Sequence, residues 1–372
     1  MRRSTASRWV LCLLLSACAG NPSQNASSPV LQTPSDATSD SPSASASEAA
    51  ATPSPTAPAS PSASLRPEPL VWAQVDATGP AAREDHTWTV DPGTGIAYLF
   101  GGRDGATVLA DTWAYDLATE TWSQLAPTAS PPARFGHEAT WVDGIGLVIF
   151  AGQAGSAFFN DLWAYDPGGN TWAALPATGA IPNPRYGSCA AVGPDGRLWI
   201  SHGFTSDGTR FSDTRAYDFA TDTWTDESPV DGQRPVERCL HGCWWTDAGQ
   251  LTLYAGQTTG TTALDDRWTF AEGAWTRIEG TLPPPRNLYA RIRVEGGTMV
   301  FGGQAIDESY LGDLWMLTDD DPNATPLEVG GDGPAGRAGA ELVLDAERGR
   351  ALLFGGRSAD GALGDLWTLS GL

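Results

Sequence analysis

Arg134-Phe135-Gly136-His137 opens a stretch that runs through Leu147-Val148-Ile149-Phe150 into Ala151-Gly152. It continues at Asn160-Asp161-Leu162-Trp163-Ala164-Tyr165-Asp166 and closes on Asn170-Thr171-Trp172-Ala173-Ala174-Leu175. Its apolar runs are only a few residues long and are separated by turn formers, so they read as short strands rather than helices. Working outward in both directions, the plan recurs. Opening arginines stand at Arg83, Arg134, Arg185, Arg238, Arg286 and Arg337, spaced 51, 51, 53, 48 and 51 residues apart. A small pair ends the second run of each unit, from Gly101-Gly102 to Gly355-Gly356, with Ala151-Gly152, His202-Gly203, Ala255-Gly256 and Gly302-Gly303 between. Asp-x-Trp follows in five units, and the third carries Asp213 and Arg215 instead. A late tryptophan marks a fourth segment at Trp122, Trp172, Trp224 and Trp275, with Leu327 in its place in the fifth unit. Four short apolar segments at a period near 50 predict a radial array of four-stranded sheets, each burying its faces against its neighbours.

The ends of the array explain one another. The sixth unit stops at Leu369 with no fourth segment, while Val71-Trp72-Ala73-Gln74-Val75 precedes the first unit and matches Thr121-Trp122-Ser123-Gln124-Leu125. The expectation is that residues 71–75 complete the last sheet and remove the open edge of the ring.

The glycine pair, the Asp-x-Trp-x-Tyr-Asp run (complete at Asp111 to Asp116 and Asp161 to Asp166) and the late tryptophan resemble the kelch repeat. The resemblance covers about residues 70–370 and implies an all-β, six-bladed kelch-type β-propeller over residues 70–372. It also implies a recognition face built from the loops between second and third strands, here near 103–110, 153–160, 204–212, 257–265, 304–312 and 357–364. Each opening arginine would then stand near the mouth of a central channel. Guanidinium groups bind carboxylates bidentately, so Arg83, Arg134, Arg185, Arg238, Arg286 and Arg337 are candidate ligand-binding residues. The competing reading has each of them bonding loop carbonyls or acids of its neighbour. Phe135, Tyr186 and Tyr289 lie close by and offer aromatic faces to a sugar or a peptide. Function therefore reads as ligand binding, to carbohydrate or protein, with no catalytic constellation, cofactor or metal site evident. The alternative is a sugar-active enzyme. Copper radical oxidases share the repeat but need a histidine pair with tyrosines and a tyrosine-linked cysteine. Sialic-acid mutarotases need acid–base groups beside arginine, for which Glu84, Glu138 and Glu237 stand near the ring.

Charge narrows the partners. The chain has 372 residues and a formal net charge of −22, with no lysine. Residues 1–69 hold four arginines and four acids, so the whole excess falls on the repeats. Such a surface repels phosphate backbones and anionic membranes, which argues against nucleic acid as a partner.

The N-terminus is of another kind. A basic lead with three arginines is followed by the apolar run Trp9 to Ala17, ending Leu15-Ser16-Ala17-Cys18. This resembles the lipobox of bacterial lipoproteins and implies a signal peptide over residues 1–17, lipidation of Cys18 and extracytoplasmic localisation on a membrane anchor. Residues 18–69 are almost all Ser, Pro, Ala and Thr, too poor in apolar side chains to fold, and read as a disordered tether. Its r.m.s. span is on the order of 40 Å. Within the repeats, Cys189 and Cys243 stand four and five residues after their blade arginines, on opposite strand faces of neighbouring units. A disulfide between them is possible in an oxidising compartment, and three buried thiols with Cys239 is the other reading.

Overall fold

The computed structural model describes residues 69–372. The expected signal peptide, Cys18 and nearly all of the tether lie outside the described residues. Six sheets with four antiparallel strands each follow one another along the chain, and in the third Thr178–Gly179 adds a short parallel pair at the outer edge. Blade 2 shows the plan: strands Glu138–Val142, Gly146–Phe150, Leu162–Asp166 and Thr171–Ala174, paired in that order from the inside outward. The innermost strands of the other blades are Thr87–Asp91, Cys189–Val192, Gly242–Trp245, Ala290–Val294 and Glu341–Asp345. Gly146–Phe150 is buried along its whole length. A strand covered on both faces by neighbouring blades shows an unbroken apolar run instead of alternation. That is why Leu147 to Phe150 carried so clear a signal.

Aromatic contacts fasten each blade to the one before it. Trp172 of blade 2 packs on Phe100 of blade 1 at 5.0 Å between ring centres, and Trp224 of blade 3 on Phe150 at 5.3 Å. Trp122 of blade 1 meets Phe354 of blade 6 at 5.2 Å. Burying such a ring contributes about 1.5–3 kcal/mol.

The sixth blade is closed as the ends of the sequence predict. Val71–Val75 pairs antiparallel with Leu366–Ser370, in register from Val71 opposite Ser370 to Val75 opposite Leu366. Trp72, buried, packs on Phe301 of blade 5 at 5.3 Å and so takes the place of the other late tryptophans. The turns joining strands one to two and three to four lie on one face of the disc. Connections between strands two and three, and between blades, lie on the other. Because Val71 is opposite Ser370, the chain enters from the turn face.

The expected loops of the recognition face are β-hairpins. In blades 3, 4 and 5 the second and third strands continue into them, as Leu198–Phe204 with Arg210–Asp218, Leu251–Thr258 with Thr261–Ala271 and Gly297–Gln304 with Tyr310–Thr318. Each pair carries a register shift at the small pair. In blades 1, 2 and 6 short two-residue strands, such as Arg103–Asp104 with Thr107–Val108, form the hairpin separately.

Candidate functional site

The six opening arginines are not displayed at the mouth: they are buried, at 0 or 1 % exposure. Each follows the same pattern. Nε–H donates to the carbonyl two residues back, at 3.0–3.1 Å. Nη1 donates to the carbonyl of the first residue of the small pair, at 2.7–2.9 Å. Nη1 and Nη2 together grip the aspartate of the same blade's Asp-x-Trp, at 2.6–3.0 Å. The reading of Arg83, Arg134, Arg185, Arg238, Arg286 and Arg337 as ligand-binding residues is therefore corrected. Their donors already serve the blade, and a buried guanidinium released from them would be uncompensated. Burial alone would raise the partner carboxyls, but hydrogen bonds and charge from the arginines hold Asp111, Asp161, Asp213, Asp266, Asp313 and Asp365 below the ordinary range.

The Asp-x-Trp tryptophan completes this node. Its indole N–H donates to the same carboxylate at 2.6–2.7 Å in five blades. In blade 3 the Arg215 Nε–H makes that bond at 3.2 Å. Arg215, which breaks the repeat in sequence, keeps its hydrogen bond in structure.

Two closed rings of backbone hydrogen bonds surround the channel. In one, the N–H of the second residue of each small pair, all glycines, donates to the carbonyl of the next blade's arginine at 2.8–3.0 Å, and Gly356 closes the ring on Arg83. A Cβ on Gly256 would come within 2.7 Å of the His241 Cβ, so this position requires glycine. In the other, Asp85, Gly136, Gly187, Leu240, Leu288 and Gly339 each donate to the preceding blade at 2.7–3.1 Å. All six have φ between 51° and 65°. Three are not glycine, so the fold holds Asp85, Leu240 and Leu288 in a conformation that side chains disfavour.

Above this second ring lies the mouth, and it is asymmetric. Glu84 and Asp85 of blade 1 are both buried. Arg103 Nε lies 3.3 Å from Glu84 and Arg103 Nη2 3.0 Å from Asp85, while Arg357 reaches Glu84 at 2.9 Å. Burial pushes both carboxyls up, and these arginines partly offset it. Arg103 also covers the Phe135 ring at 4.3 Å, and Tyr186 meets that ring edge-on at 5.5 Å. Phe135 is thus enclosed rather than presented. Tyr289 is also corrected. Its hydroxyl donates to the Tyr254 carbonyl at 2.8 Å and accepts from the Gly242 N–H at 2.7 Å, which pins it between blades 4 and 5. Tyr186 is half-buried and does reach the mouth, its hydroxyl 3.5 Å from Asp85.

Around Tyr186 stand features that the sequence did not single out. Phe158 and Phe204 pair edge to face at 5.9 Å on the hairpins of blades 2 and 3. Arg210 lies over Phe204 at 5.4 Å and has no acidic partner among the described residues. The clue in sequence was the aromatic content of the 153–160 and 204–212 segments, two phenylalanines in each, against the single Tyr310 in the corresponding segments of blades 4 to 6.

The histidines sit deeper, between blades. His86 and His202 are held down to about 3 by burial, and His137 and His241 are likewise well below the usual imidazole range. Cys189 and Cys243 are bonded across blades 3 and 4, with Cα atoms 5.6 Å apart. Cys239 is buried and free, its thiol pushed up to about 11 by burial.

Comparison with known proteins agrees with this architecture. The family model described as the KLHDC2/KLHL20/DRC7 Kelch-repeats domain matches residues 62–256. The chain belongs to the kelch-repeat family. Relatives of this kelch propeller include Adagio protein 3 of Arabidopsis thaliana, 28% identical over 302 residues, covering 74% of this chain and 46% of that protein. The tRNA wybutosine-synthesizing protein 4 of Emericella nidulans is 30% identical over 176 residues, covering 43% of this chain and 16% of that protein. The leucine-zipper-like transcriptional regulator 1 homolog of Drosophila melanogaster is 30% identical over 139 residues, covering 34% and 14%. The kelch propeller thus spans less than half the length of these relatives.

Proposed function

We propose that this chain is an exported, membrane-tethered binding protein whose kelch propeller recognises a protein partner through the hairpin face. The observation that carries the reading is the crescent of half-buried aromatics and stacked arginines on the hairpin face of blades 1–3, centred on Phe158, Tyr186, Phe204 and Arg210. Aromatic and arginine side chains are the usual anchors of protein interfaces. A carbohydrate is the weaker fit, because sugars need open ring faces. Here guanidinium groups already cover Phe135, Phe159, Phe211 and Phe204. The sugar-active enzyme is weaker still, since its arginines are held inside the blades. Export and anchoring rest on Leu15-Ser16-Ala17-Cys18 and the polar segment after it, and a disulfide suits that compartment. That the kelch region matches only a part of much larger relatives agrees with a recognition module.

The test is selection of peptides from a displayed library against the full chain, with a glycan array in parallel. Selected peptides should bind Arg210→Ala and Tyr186→Ala at least about tenfold more weakly. Asp320→Ala, exposed on the turn face, should leave affinity unchanged. Binding on the glycan array alone, or peptides indifferent to both mouth variants, would overturn the proposal.

A further inference from the structure

We propose that the central channel is a second binding site, for a small organic monocation bearing a primary ammonium group, held between Glu138 of blade 2 and Glu341 of blade 6. It is separate from the hairpin face and does not depend on what binds there. Both glutamates begin innermost strands and line the channel together with Arg291 of blade 5. Arg291 Nη2 lies 3.4 Å from Glu138 Oε2, a long contact and the sole side-chain partner of either group among the described residues. The Glu341 carboxyl has no hydrogen bond or ion pair there at all. Two carboxylates facing one guanidinium leave one negative charge unmatched.

Nothing else on the wall supplies the missing cation. His86, His137 and His241 also line the channel, but burial keeps all three neutral in the physiological range. Asp85 also lines the channel: it is 5% exposed, and although its Oδ2 pairs with Arg103, its Oδ1 has no partner. That oxygen points across the blade 6 backbone, where a Cβ on Gly339 would lie 2.6 Å away. Burial pushes Glu138 up to about 7 and Glu341 up to about 8. For Glu341 the charges of Glu138 and Asp85 act in the same sense, and Arg291 opposes them. Without a cation, then, Glu341 is largely protonated near neutrality. An ammonium offers three N–H donors and one positive charge, which meets both the acceptor excess and the charge deficit. A divalent metal needs a close shell of oxygen ligands. Among the described residues no three His, Cys, Asp or Glu side chains are gathered to provide one.

Isothermal titration calorimetry on the full chain with n-propylammonium chloride tests this, with n-propanol and potassium chloride as controls at matched ionic strength. Saturable binding at one site is expected for the amine and for neither control. Because ammonium binding expels the Glu341 proton, the heat near pH 7.5 should vary with the ionisation enthalpy of the buffer. Glu341→Gln should weaken binding at least about tenfold and remove the buffer dependence. Glu138→Gln should also weaken it, and it decides the matter if the first variant does not fold. No saturable binding of the amine, equal binding of n-propanol, or affinity unchanged in the folded variants would overturn the site.

Discussion

Arg238 commits four donor contacts to its own blade, to Val236, Ala255 and both oxygens of Asp266. Arg238→Met should therefore cost roughly 3 kcal/mol, because it strands a carboxylate only 15% exposed. Urea unfolding would measure the loss, and an unchanged midpoint would refute the structural role. The partnership was half legible. Each arginine precedes its aspartate by 27 or 28 residues in all six units, and that constancy was in the sequence. What the sequence could not show is that a strand pair folds the intervening residues so that both meet inside the blade. Periodic cations alone look like a ring of open charges. Glu341 gives the opposite case: among the other five units only the second has an acid at this position, Glu138, and the surroundings of Glu341 come from blades 1, 2 and 5. Its carboxyl is raised to about 8 in the folded chain, so its contribution to stability is complete below the ordinary glutamate range and is lost as pH rises through that value. Compared with the parent, Glu341→Gln should gain thermal stability progressively as pH rises from the ordinary glutamate range to about 8 and level off above it, measured by melting in the absence of amines. A constant difference across that range would show that the Glu341 carboxyl is not raised in the folded chain.

At the scale of elements, Val71–Val75 is the most consequential strand. It was readable because Trp72 repeats the motif of the outer strands, and the sixth unit lacked one. Deleting residues 70–76 removes five register pairs with Leu366–Ser370 and the Trp72–Phe301 contact, and leaves Leu366–Ser370 as an unpaired sheet edge. The truncated protein should melt well below the parent or fail to fold; equal melting temperatures would refute closure by this strand. The hairpins of blades 3 to 5 were less readable. They project beyond the core, where backbone pairing needs no apolar residues, so segments such as Ser206-Asp207-Gly208-Thr209 look like plain loop. Phe204 and Arg210 of the asymmetric mouth stand on the blade 3 hairpin, which is why the candidate site was harder to foresee than the fold.

For the whole molecule, the two hydrogen-bonded rings run in opposite senses, one donating forward to the next blade and the other back to the preceding one. Each blade is therefore held by both neighbours, and a closed ring offers no terminal repeat from which unfolding can spread. Anchoring is tested at the same scale. In a bacterial host, Cys18→Ser should move the protein from the detergent-soluble membrane fraction to the aqueous one, and retention in the membrane would refute lipidation. The point where the chain joins the propeller then acquires a mechanical meaning. Val71 sits on the turn face, and the mouth opens on the opposite side. A load between the N-terminal segment and a partner held at the mouth is directed along Val71–Val75 rather than across it. Hydrogen bonds between antiparallel strands lie perpendicular to the chain. All five pairs with Leu366–Ser370 would thus share the pull in shear, instead of parting one by one as a zip.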